Sequence, residues 1–358
     1  MKKRIIGIDV ARALAIIGMI IVNFKIVFGG EGNTIIKYSI ELIEGKAAAI
    51  FVVLAGVGIA LLSNSAILNH DLKKIKTIRR RIQKKSFFLF IIGLSYIFIW
   101  PADILHFYGV YMLITLLLLK SNLQIIITIA LLFIFIYPLL ILVWDYDIGW
   151  NYVTFAYSDF WSIHGFFRNL FYNGFHPVIP WTAFMLIGLW FGKQDLNDNI
   201  FVKKAMGISL IIFLSIQFLS YLLLHYLAKR NQVTVDELKI IFGTSPIPPL
   251  PLYMISGSSI SIFIIALCIY MANRFENNFI INALKKTGKL ALTFYIAHVI
   301  IGMGIIEVIN PEKMGNYPIE FSALYALIFS VFCITFAIFW TKRYKFGPLE
   351  WVMRLVTD

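Results

Sequence analysis

Runs of about twenty apolar residues recur from Ile5 to the last twenty positions of this chain, and they constrain its fold more than any other feature. A helix needs about 20 such residues to cross a bilayer core. That window picks out ten candidate spans, at 8–28, 46–64, 86–101, 104–120, 123–144, 178–193, 204–226, 251–272, 289–308 and 320–341. Composition agrees: 60% of the residues are hydrophobic and 14% charged, where a soluble domain has about 45–50% and about 25%. A soluble enzyme, a disordered chain and a protein with a single anchor are excluded. The expected fold is all-α, a polytopic helical bundle forming one integral membrane domain over residues 1–358. The first span starts like a signal peptide, but Asp9 and Arg12 interrupt it and no small-residue cleavage site follows. It reads as a retained helix.

The net charge of +13 is a topology signal. With the N-terminus inside, 23 of the 32 Lys and Arg fall in cytoplasmic segments and 6 in outer loops. Basic residues favour the cytoplasmic side, so both termini are expected there. Nucleic acid is not an expected partner. The cytoplasmic loop 65–85 is denser in charge than topology requires, with Arg79, Arg80 and Arg81 at its centre. It reads either as an anchor for anionic lipids or as a dock for the phosphates of a nucleotide-bearing cofactor. The outer loop 145–177 carries Trp144, Tyr146, Trp150, Tyr152, Phe155, Tyr157, Phe160 and Trp161 at or near it. Such aromatics favour the headgroup level, where short interfacial helices are expected. Cys268 and Cys333 lie in apolar runs and form no ligand set, so neither a disulfide framework nor a metal site is expected.

Ionisable residues at membrane depth face partners or cavities. Asp9 and Arg12 are three apart on one helical face, either an internal ion pair or part of a cavity. Asn23 continues the stripe through positions 12, 16 and 19, and an interhelical hydrogen bond is its simplest role. Lys46 opens the second span, where snorkelling to the outer surface accounts for it. Asp103 and His106 are three apart at a turn; they form either a helix cap or an acid–base pair. His298 sits mid-span with Thr293 and Tyr295 nearby. His176, Pro180 and Trp181 open the sixth span, and Gly188 and Gly192 give that helix a close-contact face. No nucleophile elbow, Walker loop or His-Glu-x-x-His motif occurs. The remaining chemistry is that of polar groups inside a bundle.

Several motifs, in order along nearly the whole chain, resemble the transmembrane acyltransferase superfamily. That group contains YeiB-type bacterial membrane proteins and the lysosomal heparan-alpha-glucosaminide N-acetyltransferase. They are Ile8, Asp9, Arg12, Gly18 and Asn23; Gly45, Lys46, Phe51, Ala55, Gly56 and Gly58; Asp103, Leu105, Tyr108 and Gly109; His176, Pro180, Trp181 and Gly188; Gly288, Thr293, Tyr295 and His298; and Gly347, Pro348, Glu350 and Trp351. The resemblance implies a bundle of ten or eleven helices that moves acetyl groups from cytoplasmic acetyl-coenzyme A to a far-side acceptor, often a glycan. Ala13 departs from the family's usual Gly. The lysosomal enzyme uses a histidine after its first helix, and this chain has none between Asn23 and Lys46. His298 and His106 are the bases left.

The expected protein is a multi-pass acyltransferase of a bacterial inner or plasma membrane. Acetyl-CoA or another acyl-CoA is the donor, with no metal. His298 is the expected base, with Asn23 on the developing oxyanion and the Asp103–His106 pair as the alternative. Arg12, Arg79, Arg80 and Arg81 would bind the cofactor, and Lys46, His176 and Trp181 the acceptor, a small molecule or glycan. Membrane lipids are its neighbours, and a homodimer is left open. The competing class is a transporter or lipid flippase that uses the same polar path.

Overall fold

A computed structural model describes residues 4–151, 155–231 and 234–357; Tyr152 of the aromatic loop and Lys2 and Lys3 lie outside them. The chain is a succession of helices: α1 Ile6–Phe28, α2 Thr34–Glu41, α3 Lys46–Leu68, α4 Leu72–Ser95, α5 Leu105–Leu117, α6 Leu123–Val143, α7 Ile163–Arg168, α8 Val178–Gly192, α9 Asn199–Asn231, α10 Val235–Phe242, α11 Pro251–Arg274, α12 Phe279–Gly288, α13 Ala291–Ala297, α14 Gly304–Ile309, α15 Ile319–Arg343 and α16 Pro348–Thr357. Two π-helical turns, Asn169–Asn173 and His298–Met303, interrupt the α pattern. Many starts are written locally. Asn33, Asp71, Asn122, Ser162, Thr234 and Asn278 each accept a backbone N–H of the following helix, the usual role of short polar side chains at N-caps.

Among the described residues, seven helical segments are long and apolar enough to cross a membrane, and eight if the pair Ile163–Asn173 and Val178–Gly192, bent by 47°, counts as one span. The protein is thus a multi-pass, all-helical membrane protein. Ten spans were expected. The difference lies in α4 and α5. The run 65–85 is mostly helix rather than loop, because α4 begins at Leu72 and is continuous to Ser95. Its buried Ile75, Ile78, Ile82, Ser86 and Leu89 follow helical spacing. The apolar part, from Ser86 on, is only about 15 Å long at 1.5 Å per residue. Helix α5, with 13 residues, reaches about 20 Å. Neither length matches a core of about 30 Å.

The chain divides into two compact units. Unit 1 contains residues 1–51, 196–207 and 263–355; unit 2 contains 52–195, 208–262 and 356–358.

Unit 1 is organised around α1. Its Ala11, Ala13, Ile16, Ile20, Phe24 and Phe28 are buried, and α12 and α15 are its main neighbours. Glycines let its first turns meet other backbones. A Cβ on Gly7 would lie 2.3 Å from the Cα of Ile269, and one on Gly288 would lie 1.8 Å from the carbonyl oxygen of Asp9. At the other end, the Ser322 hydroxyl donates to the Gly29 carbonyl at 2.8 Å.

Unit 2 packs α4 on α5, and α8 on α5 and α6. Glycines again set the spacing. A Cβ on Gly188 would lie 2.0 Å from the Val53 carbonyl, and one on Gly56 would lie 2.0 Å from that of Met185. A Cβ on Gly192 would lie 2.8 Å from the Val57 Cα, so Gly188 and Gly192 do form the close-contact face. On α9, Ile208, Ile211, Leu214, Phe218 and Leu222 are exposed at helical spacing. A patch of that kind is a liability in water and a fitting surface against lipid tails.

The aromatic loop of unit 2 contains short helices and, ahead of them, a small strand pair. It forms a β-bridge pair, β1 Trp150–Asn151 with β2 Ala156–Tyr157, then α7 and a π-helical turn. Buried Asn173 fastens it. Its Nδ2 donates to the carbonyls of Tyr146 and Ile148, both at 2.8 Å, and its Oδ1 accepts from the Tyr157 hydroxyl at 2.7 Å. Arg168 grips Asp159 with two bonds of 2.6 and 2.7 Å.

Candidate active site

Unit 1 brings Asn23 and His298 together across 275 residues of sequence. The Asn23 Nδ2 lies 2.9 Å from the His298 Nε2. An amide nitrogen only donates, so this contact makes Nε2 the acceptor and leaves the ring proton on Nδ1. Asn23 therefore selects the tautomer whose Nε2 lone pair faces it. His298 is fully buried. Tyr295 presents its ring edge-on at 5.3 Å, and Phe24 lies at 6.3 Å.

His298 is the first residue of a π-helical turn. Such turns concentrate at functional sites, since the widened helix redirects side chains and frees carbonyls. The Tyr325 hydroxyl donates to one of these carbonyls, that of Gly302, at 2.9 Å. The other hydroxyl expected beside His298, that of Thr293, is used elsewhere. It donates to Glu350 at 2.6 Å, and the same carboxylate accepts the backbone N–H groups of Leu292 and Thr293 at 2.8 and 3.1 Å. Glu350 thus ties α16 to the first turn of α13, and burial raises its pKa against the pull of these donors. Nothing in the spacing of Glu350 and Thr293 announces this contact.

Near the start of α1, Arg12 donates to Asp9 at 2.8 Å. Arg4 adds two bonds to the same carboxylate, at 2.7 and 2.9 Å. The ion pair anticipated from the spacing is real and has a second cation. Lys25 pairs with Glu44 at 3.1 Å. Lys46 is buried beside Glu44 in sequence.

In unit 2, Asp103 is fully buried and hydrogen-bonded to Tyr96 and His106. The Tyr96 hydroxyl donates to Oδ1. Oδ2 lies 3.1 Å from the His106 Nδ1 and accepts the His106 backbone N–H at 3.2 Å. One carboxylate thus holds both the backbone and the ring of His106. Burial pushes the Asp103 carboxyl up, but its hydrogen bonds and the charge of His106 outweigh that and hold it below the ordinary carboxylate range. With Nδ1 turned to the carboxylate, His106 presents Nε2, which has no hydrogen-bond partner among the described residues.

His176 and Trp181 join the same cluster. Their rings are 4.6 Å apart, and Phe107 lies 6.1 Å from His176 and 3.9 Å from His106. The Tyr111 hydroxyl donates to the His176 carbonyl. The His176 Nδ1 and the Trp181 Nε1 are buried and have no hydrogen-bond partner among the described residues. Buried polar atoms are normally satisfied, so three orphans in one aromatic cluster mark a place suited to a polar group.

Arg79, Arg80 and Arg81 are consecutive on α4, with Arg80 exposed and its neighbours half-buried. Successive helical residues project about 100° apart at 3.6 residues per turn. The three guanidinium groups fan around the helix instead of converging.

Unit 1 thus holds the Asn23–His298 pair, and unit 2 the Asp103–His106 pair with His176 and Trp181. Residues 190–358 match a family described as protein of unknown function DUF418. Residues 4–228, more than half of the chain, match the family described as heparan-alpha-glucosaminide N-acetyltransferase, catalytic. No curated protein matches the chain. A polytopic helical fold accords with that second match, and the chain belongs to the heparan-alpha-glucosaminide N-acetyltransferase catalytic family.

Proposed function

We propose that the protein is an acyltransferase of the bacterial plasma membrane, transferring an acetyl group from acyl-CoA to a hydroxyl or amine of a small molecule or glycan. The observation that carries this reading is the Asn23–His298 contact at 2.9 Å, in a chain of an acetyltransferase family. The acceptor's O–H or N–H displaces the Asn23 amide as donor to Nε2. His298 removes that proton as the acceptor attacks the thioester carbonyl. The C–O or C–N bond forms, the C–S bond breaks, and the imidazolium returns its proton to the departing thiolate. Asn23, once displaced, has its amide available to the carbonyl oxygen as charge develops there.

The deciding assay uses the full chain in proteoliposomes with labelled acetyl-CoA on one side. Label covalently joined to an acceptor supports the reading. Movement of an unchanged substrate would make the protein a transporter.

The donor's side follows from charge. Cysteines placed at 76, which is exposed, and at 286 are expected to resist an impermeant thiol reagent in intact cells, while those at 155 and 235 react. Native Cys268 and Cys333 are buried and give little background. Labelling at 76 would reverse the orientation.

The basic face of α4 supplies the phosphate contacts in this reading. Replacing Arg79, Arg80 and Arg81 by Gln is expected to weaken coenzyme A binding in detergent, with the loss shrinking as salt rises and screens the wild-type contacts. Because the side chains fan out, single replacements are expected to differ, with exposed Arg80 the most sensitive. Unchanged affinity in the triple variant would leave the run as a lipid anchor.

A further inference from the structure

Lys46 is the first residue of α3 and is only 9% exposed. Its ammonium makes no hydrogen bond or ion pair with any described residue. Glu44 acts on it through space alone, and that carboxylate is bonded to Lys25 at 3.1 Å. Two lysines and one glutamate leave one cation uncompensated. Snorkelling, the role its position suggests, requires a route for the head group to water. Lys46 does not lie at the open end of the packing. Ala47 packs against Gly18, at the middle of α1, where a Cβ on the glycine would be 2.9 Å from that of Ala47.

The helices around it fix its level. Gly18 with Ala47 and Lys25 with Glu44 make α3 antiparallel to α1. Gly288 with Asp9 and Asn23 with His298 make the α12–α13 segment parallel to it. The rings of Phe51 on α3 and Tyr295 on α13 stack at 6.1 Å. From that stack, Lys46 lies about 7–8 Å back along α3 and His298 about 4–5 Å forward along α13, at 1.5 Å per residue. These are the same direction, so both fall in one layer of unit 1. An ionisable group left unpaired at membrane depth marks a ligand site, because burying it without a counter-charge is costly.

We infer that Lys46 receives an anionic group, a carboxylate or a phosphate, carried by the acceptor whose hydroxyl or amine meets His298. The inference rests on the acyltransferase reading for the role of that acceptor, but anion binding itself does not require catalysis. An anion at Lys46 supplies the missing counter-charge and holds the far end of the acceptor while its nucleophile reaches Nε2. Neutral acceptors lack that contact.

The test is the thermal midpoint of the full chain in detergent, titrated with glycerol 3-phosphate and glucuronate against glycerol and glucose. At least one anionic probe is expected to raise the midpoint where its neutral counterpart does not, and the responding probe separates phosphate from carboxylate. Lys46→Met is expected to weaken that response about tenfold or more, the loss of one charged hydrogen bond, while Lys46→Arg retains it. Without anion, Lys46→Met is expected to be at least as stable as wild type, since it removes an uncompensated charge. An equal response in Lys46→Met, or no difference between anionic and neutral probes, overturns the inference. His298→Gln is expected to keep the anion response; transfer surviving in that variant would remove His298 as the base, whereas an anion response in a wild-type chain that transfers no acyl group would sink the acyltransferase reading alone.

Discussion

His298→Gln is expected to give a folded protein that still binds acyl-CoA but transfers the acyl group about 10²–10⁴-fold more slowly, the usual contribution of a general base. Glutamine keeps much of the size and can still meet the Asn23 amide, so the buried contact at 2.9 Å survives in altered form. It cannot take up a proton at neutral pH. A purely structural histidine would give the opposite result, near-normal transfer in the Gln variant and poor folding in His298→Ala. His106→Gln is the control, because the Asp103–His106 pair also presents an imidazole nitrogen. Transfer retained at 298 and lost at 106 moves the base to unit 2. Transfer retained in both variants removes the catalytic account while leaving the fold untouched. Single-turnover rates with donor binding measured in parallel distinguish these outcomes.

Gly288→Ala is expected to be the most damaging single-methyl change in unit 1. The new Cβ would lie 1.8 Å from the Asp9 carbonyl oxygen and 2.7 Å from the carbonyl carbon. Both are main-chain atoms of α1, so no rotamer change relieves the clash, and α1 and α12 must separate. Overpacking a well-filled interior costs about 1–3 kcal/mol and sometimes more, and this contact belongs at or above the top of that range. The same turn carries the Asp9 carboxylate that holds Arg4 and Arg12, so the displacement also strains a buried ion pair. The expected observation is a large fall in thermal midpoint and in monodisperse yield from detergent. Gly207→Ala is the matched control: nothing lies within 4 Å of its Cβ position, and replacing an exposed helical glycine is neutral or mildly stabilising. Equal stability of the two variants would mean that the tight α1–α12 approach does not exist in solution.

The all-helical, multi-pass class was legible without coordinates because hydropathy is a local, additive property of a window of residues. Each of the ten apolar runs coincides with helix over at least part of its length. The Asp9–Arg12 pair was legible because residues three apart share a helical face, and the Asp103–His106 pair because a short polar side chain just ahead of a helix meets its first turn. The Gly188 and Gly192 face was legible because the absence of a side chain matters mainly where another helix comes close.

Other features depended on segments far apart in sequence. The windows could not show that α4 starts at Leu72 and that its apolar end is too short to cross, because length depends on where the helix turns at Tyr96. The partner of Asn23 lies 275 positions away. Its place in mid-span named His298 as a candidate, but only the packing of α13 on α1 shows that Asn23 meets its ring and sets the imidazole tautomer. Glu350 and Thr293, or Arg4 beside Asp9, carry no spacing signal that singles them out. Lys46 is the sharpest case. As a residue at the start of a span it looks free to snorkel, and only its burial against the middle of α1, with Glu44 already bonded to Lys25, leaves its charge unanswered. Hydrophobicity determines that a segment enters the membrane, because transfer free energy accumulates residue by residue. Which polar groups are then satisfied, and which are left for a ligand, is decided by contacts among segments that only the tertiary structure brings together.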